Sequence, residues 1–325
     1  MRIVRSWQAL SLDAYAIEET DVPAPGPGQV RIRVEACGVG YVDGLHATGR
    51  YQVKADLPFT PGVEIAGTID ALGPGVTHLS LGARVIPLMS IKGGFAEQVI
   101  APAGQIALIP DNLNFEAAAA IRANTLTAIY ALCDRGGVAR GETVLVFGAA
   151  GGVGSAAVQV AKLMGARVIA AASSAAKRAA AVSLGADVAI DTQLEGWRDR
   201  LKAQCGSAMP DIVFDPVCGP LFEDAFRSIG WNGRYLVIGF TGGGIPALKA
   251  NLPLLKGAAL IGVDIRQFGL KQPGNADANR QRLCRWMESG KITPLVGKVF
   301  PFDQFRDALA YAASGAGIGK TILRF

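Results

Sequence analysis

The periodicity of apolar and polar residues changes partway along the chain. Over 30–34, Val-Arg-Ile-Arg-Val alternates apolar with charged residues, the pattern of a strand with one buried and one solvated face. Further β-like runs follow at 64–69, 84–88 and 95–100, separated by turn signals such as Gly26-Pro27-Gly28 and Gly73-Pro74-Gly75. This spacing predicts an antiparallel, barrel-like domain. Near residue 115 the sequence becomes Ala-rich and helical, and from residue 143 short apolar runs alternate with amphipathic stretches. Apolar runs at 143–147, 167–171, 188–190, 212–214, 235–238 and 260–263 predict six strands, and the helical segments between them imply a parallel, doubly wound sheet. After Asp264 come a basic helix over 279–289, a β-like stretch near Phe300, a helix over 302–313 and a last strand over 321–325. The expected architecture is α/β: a barrel-type domain from residues 1–119 and 264–325, interrupted by a Rossmann-type domain over 120–263.

Composition narrows the function classes. Half of the 325 residues are apolar and 18% are charged, which is globular. The excess of 32 basic over 27 acidic residues is spread without a basic block, so nucleic acid is not an expected partner. No apolar run reaches about 18 residues, and the opening Met1 to Trp7 lacks the apolar core of a secretory signal. A cytoplasmic protein without a membrane segment is the expectation. The five cysteines are widely spaced with no C-x-x-C pair, and the only histidines are His46 and His78, a poor ligand set for zinc.

The first Rossmann-type strand runs into Gly148-Ala149-Ala150-Gly151-Gly152-Val153-Gly154 and then a helical pattern. This is a variant of G-x-G-x-x-G with Ala149 in its first position. Glycines there let the backbone approach a pyrophosphate seated on the N–H groups of the helix N-terminus. In its strand-loop-helix context the motif predicts a dinucleotide site; the alternative is a tight βα turn. An NAD site usually adds an acid at the end of the second strand to bind the ribose 2′-hydroxyl. Here that strand ends in Ala172-Ser173-Ser174, with Lys177 and Arg178 one turn later. Two hydroxyls and two cations suit a 2′-phosphate, so NADP(H) is favoured, with Lys177 the preferred cation. The same cations also suit a solvated helix face.

With these motifs in order, nearly the whole chain resembles the medium-chain dehydrogenase/reductase superfamily, and within it the zinc-independent quinone oxidoreductase branch. The resemblance rests on Gly38-Val39-Gly40-Tyr41-Val42-Asp43, on Pro61-Gly62-Val63-Glu64-Ile65-Ala66-Gly67, on Gly93-Gly94-Phe95-Ala96-Glu97, on Asn124-Thr125-Leu126-Thr127-Ala128 and on the phosphate loop. It implies a GroES-like domain plus a Rossmann domain. Zinc alcohol dehydrogenases of this superfamily place a Cys and a His where this chain has Gly40 and Val63, so no metal is expected. Glu64 is expected to serve structurally, hydrogen-bonding the barrel or a cofactor-facing loop.

The resemblance further implies cofactor contacts at Asn124 and Thr127 beside the nicotinamide, at Ala150, Gly151, Gly152 and Val153 in the phosphate loop, at Val217 in Asp215-Pro216-Val217, and at Gly239, Phe240 and Thr241. Lys320 matches a basic position that reaches the pyrophosphate in relatives, or else is an exposed strand-edge lysine. Tyr51 resembles in position the proton-donating tyrosine of enoyl-thioester reductases, and a phenol, with a reference pKa of about 10, is protonated at neutral pH. Its alternative role is a pocket wall. Tyr41 matches an aromatic beside the cofactor, although the Asn that precedes it in the family's pattern is Gly40 here. Without a Lewis acid the expected reaction is hydride transfer from NADPH to a quinone or other conjugated carbonyl. The alternatives are a dedicated enoyl or halo-acrylate reductase and an NADPH-binding protein without turnover. Relatives imply a homodimer through the Rossmann sheet edge, where the run 258–263 would serve, although a buried strand explains that run equally well, together with a small-molecule substrate and a pocket walled by Tyr41, Leu45, Tyr51, Phe240 and Phe268.

Overall fold

The computed structural model describes residues 1–325 except Ala9 and Ser207. The chain forms two units, Met1–Ala123 with Met287–Phe325, and Asn124–Trp286. The first unit opens with the antiparallel pair β1 (Arg2–Arg5) and β2 (Ala16–Glu19). It continues through β3 (Gln29–Val39), the short helix α1 (Tyr41–Ala47), β4 (Ile65–Leu72), β5 (Arg84–Pro87), β6 (Gln98–Pro102) and β7 (Ile106–Leu108). The alternation read at 30–34 is the centre of β3, where Val30, Ile32 and Val34 are buried and the arginines between them face outward. The predicted strand over 95–100 starts later, at Gln98. Phe95 is instead fully buried in a loop whose Phe95 N–H donates to Pro61 O at 2.9 Å.

The second unit takes over along α2 (Phe115–Ile129), which continues as a π-helical turn over Tyr130–Arg135. Its sheet comprises β8 (Thr143–Phe147), β9 (Arg167–Ala171), β10 (Val188–Ile190), β11 (Ile212–Asp215), β12 (Arg234–Val237) and β13 (Ala259–Gly262). The order is β10-β9-β8-β11-β12-β13, every pairing parallel, so the strand order reverses next to β8. The helices are α3 (Gly152–Leu163), α4 (Ala175–Ser183), α5 (Trp197–Cys205), α6 (Phe222–Arg227), α7 (Asn251–Lys256), α8 (Ile265–Lys271) and α9 (Pro273–Glu288). All five residues of β8 are buried, which is why its apolar run is continuous rather than alternating.

The chain then returns to the first unit with β14 (Val296–Pro301), α10 (Phe305–Ala313) and β15 (Lys320–Arg324). A 3-10 turn at Phe302–Gln304 precedes α10, so the helix expected from residue 302 starts three residues late. β14 and β15 extend one end of a sheet ordered β14-β15-β3-β4-β5-β7, and β6 also pairs with β3.

The sequence pattern expects the second crossing after Val263, and the division into two units falls after Trp286. The reason is lateral packing. Phe268 of α8 stacks on Tyr130 with ring centroids 4.0 Å apart, and buried Asn279 of α9 donates to Asp134 at 2.7 Å. These contacts hold α8 and most of α9 on the second unit. The first crossing likewise falls at Ala123/Asn124 rather than after residue 119, inside α2 rather than in a linker.

Candidate functional site

In the second unit, predicted cofactor residues gather at the carboxyl ends of β8, β9, β11 and β12, the side on which open parallel sheets bind ligands. Gly148 takes a left-handed φ of +57° to turn the chain out of β8. Gly151 then caps α3, and its N–H donates to Gly148 O at 2.8 Å. A Cβ on Gly154 would lie 2.1 Å from the Gly148 carbonyl oxygen, so only glycine lets α3 approach β8 this closely. The result is a bare helix N-terminus whose first N–H groups have no side-chain cap, an arrangement that fits a pyrophosphate. Ala150 is buried and offers only its backbone there, while Val153 is half-buried. Asn124 sits against the same turn: a Cβ on Gly152 would fall 2.9 Å from its Nδ2. Thr127 lies one turn farther along α2 on the same face.

After β9, Ser173 and Ser174 are exposed, and the Ser174 hydroxyl caps α4 by accepting the Lys177 N–H at 3.2 Å. The two cations part company here. Arg178 donates to Ala172 O at 3.2 Å and pairs with Asp191, whereas Lys177 is half-buried in the first turn of α4.

The β11 and β12 ends are tied together. Buried Asp215 accepts the Val217 and Cys218 N–H groups at 2.7 and 2.9 Å and the Tyr235 hydroxyl at 2.5 Å. Burial pushes its carboxyl above the usual range, while these donors pull it back. The Thr241 and Gly242 N–H groups donate to Pro216 O and Val217 O at 3.2 and 2.8 Å, which fixes Val217 next to the Gly239-Phe240-Thr241 segment. The Asp215–Tyr235 bond was not legible in sequence. The expected wall residue Phe268 is 3% exposed, so its ring packs inside the unit.

In the first unit, α1 begins at Tyr41, and Asp43 closes the turn by accepting the Gly40 N–H at 2.7 Å. Asp43 is buried, with Oδ1 unpartnered, and burial raises its pKa while the nearby Lys320 charge opposes the shift. Lys320 is not the exposed strand-edge residue considered from sequence. It is 7% exposed, and its Nζ lies 3.2 Å from Glu64 Oε2. Glu64 Oε1 accepts the Ala123 N–H at 2.8 Å, the structural role expected of it.

The residues at positions 40 and 63 do not fit a zinc ion. Gly40 and Val63 have no donor side chains, and a Cβ on Gly40 would lie 3.1 Å from the Lys320 ammonium. Among the described residues, no group of three or more His, Cys, Asp or Glu side chains is arranged to hold a metal. Cys37, the nearest thiol in sequence to Gly40, is fully buried in β3. Among the described residues, no helix is long and apolar enough to cross a membrane.

Two family models match, an alcohol dehydrogenase GroES-like domain over residues 26–111 and a zinc-binding dehydrogenase domain over 152–274. The mouse quinone oxidoreductase-like protein 2 is 34% identical over 94% of this chain and 88% of its own length. The chain belongs to the quinone oxidoreductase-like branch of the medium-chain dehydrogenase/reductase superfamily. Within this superfamily, the crystal structure of the Thermus thermophilus quinone oxidoreductase, also solved with NADPH, superposes with a TM-score of 0.85 at 30% identity, covering all of both chains. The enoyl reductase CurK superposes with a TM-score of 0.88 at 25% identity, covering 99% of this chain and 98% of its own. The GroES-like and Rossmann domains expected of this superfamily are the two units described above.

Proposed function

We propose that this protein is an NADPH-dependent oxidoreductase that reduces a quinone or another conjugated carbonyl without a metal ion. The observation that carries the reading is the glycine cradle at the end of β8, beside a β9 end that offers Ser173, Ser174 and Lys177 where an NAD site would offer a carboxylate. The NADPH complex of the Thermus relative supports the same cofactor. When bound, NADPH supplies the hydride. Asn124 and Thr127 orient the nicotinamide half. The backbone of Ala150, Gly151, Gly152 and Val153 holds the pyrophosphate, and Val217, Gly239, Phe240 and Thr241 border the cofactor along the sheet edge. Lys320 is kept as the cation at the pyrophosphate, because one contact with Glu64 leaves its ammonium further protons to donate. Tyr41 flanks the cofactor, and Tyr51 donates the proton that follows hydride addition to an enone, whereas a reduced quinone takes its protons from water.

The test is oxidation of NADPH and NADH with a small quinone and an enone offered in parallel. Faster turnover with NADPH is expected, and a preference for NADH overturns the assignment of Ser173, Ser174 and Lys177. Lys177→Ala is expected to raise the dissociation constant of NADPH about tenfold, the worth of one charge-assisted contact, and to leave that of NADH unchanged. Titration of intrinsic fluorescence reads both constants.

Dedicated reduction of an enoyl carbon–carbon double bond is the second reading, favoured by the CurK likeness and by the phenol at Tyr51. Tyr51→Phe separates the two. A dedicated enoyl reductase loses about a hundredfold in turnover, within the range of general-acid contributions, whereas quinone reduction, which takes protons from water, changes little. NADPH binding without turnover of either acceptor would leave a binding protein.

The proposal includes a cytoplasmic homodimer. β13 is the last strand of its sheet, its described pairing is with β12, and Ala259, Leu260 and Gly262 are exposed along it. An open edge of this kind is completed by the same edge of a second copy. Sedimentation velocity reads the stoichiometry.

A further inference from the structure

The Tyr51 ring is held from below by a ladder of rings. At the end of α1 the chain doubles back, and the Arg50 and Tyr51 N–H groups both donate to Leu45 O, at 2.8 and 3.2 Å. This turn lays the Tyr51 ring against the imidazole of His46, with centroids 4.2 Å apart and planes inclined by 38°. His46 in turn faces Phe59 at 6.1 Å with planes 28° apart, and Phe59 meets the fully buried Tyr15 edge-on at 6.5 Å. Reciprocal backbone bonds with Ser6, at 2.9 and 3.0 Å, fix Phe59. The ladder therefore runs from the core of the first unit to the tyrosine, and His46 is the rung that touches it.

The imidazole is in this ladder as a ring rather than as a charge. Its Nδ1 is buried without a hydrogen-bond partner, and burial lowers its pKa, so the neutral form is the one that packs. Aromatic rings favour offset and inclined contacts of this kind over a direct sandwich, so the imidazole favours one orientation of the phenol ring.

We propose that His46 is a positioning residue, whose ring holds the Tyr51 phenol in the orientation from which it delivers its proton. The inference rests on the reading of Tyr51 as proton donor. In the step concerned, hydride adds to the β-carbon of an enone. The phenol O–H bond breaks to give its proton to the resulting enolate, and the phenolate regains a proton from water. His46 enters none of these bonds. Its contribution is geometric, and misplacing a proton donor by an ångström is enough to slow the step by one to two orders of magnitude.

The experiment is a double-mutant cycle in the full-length protein, with a small enone and NADPH. It uses His46→Ala, His46→Phe, Tyr51→Phe and the double variant His46→Ala/Tyr51→Phe. Expected for His46→Ala is a fall in kcat of about tenfold with KM changed by less than about twofold, together with a larger solvent deuterium isotope effect as proton delivery becomes limiting. His46→Phe, which keeps a ring in place, is expected to recover kcat to within about twofold of the native value. In the Tyr51→Phe background, His46→Ala is expected to cost nothing further, because its effect passes through the phenol. An unchanged NADPH dissociation constant confirms that each variant is folded.

Three results overturn the proposal while leaving Tyr51 as donor. They are native turnover in His46→Ala, a loss in His46→Phe equal to that of His46→Ala, and a His46→Ala loss that persists without the phenol. Full enone reduction by Tyr51→Phe instead sinks the reading of Tyr51, and the role of His46 with it.

Discussion

Replacing Gly154 by alanine is expected to raise the dissociation constant of NADPH by more than about a hundredfold, equivalent to about 2.7 kcal/mol. The added Cβ would sit 2.1 Å from the Gly148 carbonyl oxygen, 2.6 Å from its carbon and 3.0 Å from Ala149 Cα. All three atoms are backbone, so no side-chain rotation relieves the overlap. Either α3 backs away from β8 or the turn after β8 re-forms, and both move the N–H groups on which the pyrophosphate is proposed to sit. Overpacking of this kind costs about 1–3 kcal/mol in stability as well, so a lower Tm should accompany the lost affinity. Gly152→Ala is the control. Its Cβ would meet the side-chain amide of Asn124, at 2.9 Å from Nδ2, and a side chain can turn aside. Its effect on NADPH binding should stay below about tenfold, a cost near 1.4 kcal/mol. Fluorescence titration of both variants checks the contrast, and equal losses would show that the close packing of α3 on β8 does not matter for binding.

The residues that sequence located well are those whose environment is written locally. The inner strands of the parallel sheet are largely buried, so their apolar runs are continuous and bounded by polar turns, and all six strands lie within one residue of the runs read from sequence. The phosphate loop was legible because its glycine spacing follows directly on the apolar run of β8 and leads into α3, and Gly151 and Gly154 both close on Gly148 within the loop. Features set by distant partners were not. Lys177 and Arg178 are adjacent and chemically alike, yet a helix turns about 100° between them, and it is Arg178 that meets Asp191, just past β10. Lys320 could be read as a surface lysine until Glu64 was seen beneath it. The seven residues of α1 are too few to display a helical period, and the contact of His46 with Tyr51 arises only once the chain turns back on that helix. The packing of Phe268 on Tyr130 likewise leaves no signature at either residue.

The same non-local pairing makes Lys320→Met the substitution with the largest expected cost in stability. The Lys320 ammonium lies 3.2 Å from the almost fully buried Glu64 carboxylate, and its charge also acts on buried Asp43. Methionine nearly matches the volume of the lysine stem, so packing is preserved while the cation is lost. Two buried carboxyl groups then remain. Glu64 keeps its bond from the Ala123 N–H, and Asp43 keeps the one from Gly40, but the charge closest to both is gone. Breaking a buried pair from one side costs about 3–5 kcal/mol, which for a unit of this size lowers Tm by roughly 6–20 °C. The pH dependence has a definite sign. Burial already raises the folded-state pKa of Asp43, and without the opposing charge of Lys320 it rises further. A carboxyl group whose pKa is raised by folding binds protons more tightly in the native state, so the variant's stability is retained at low pH and lost as pH rises through that folded pKa. The deficit relative to the native protein should therefore be smaller near pH 5 than near pH 8. Glu64→Gln/Lys320→Met removes the second charge and should recover part of the loss. Thermal melts of both variants across that pH range measure the effect, and a deficit independent of pH would mean that the lysine contributes packing rather than charge.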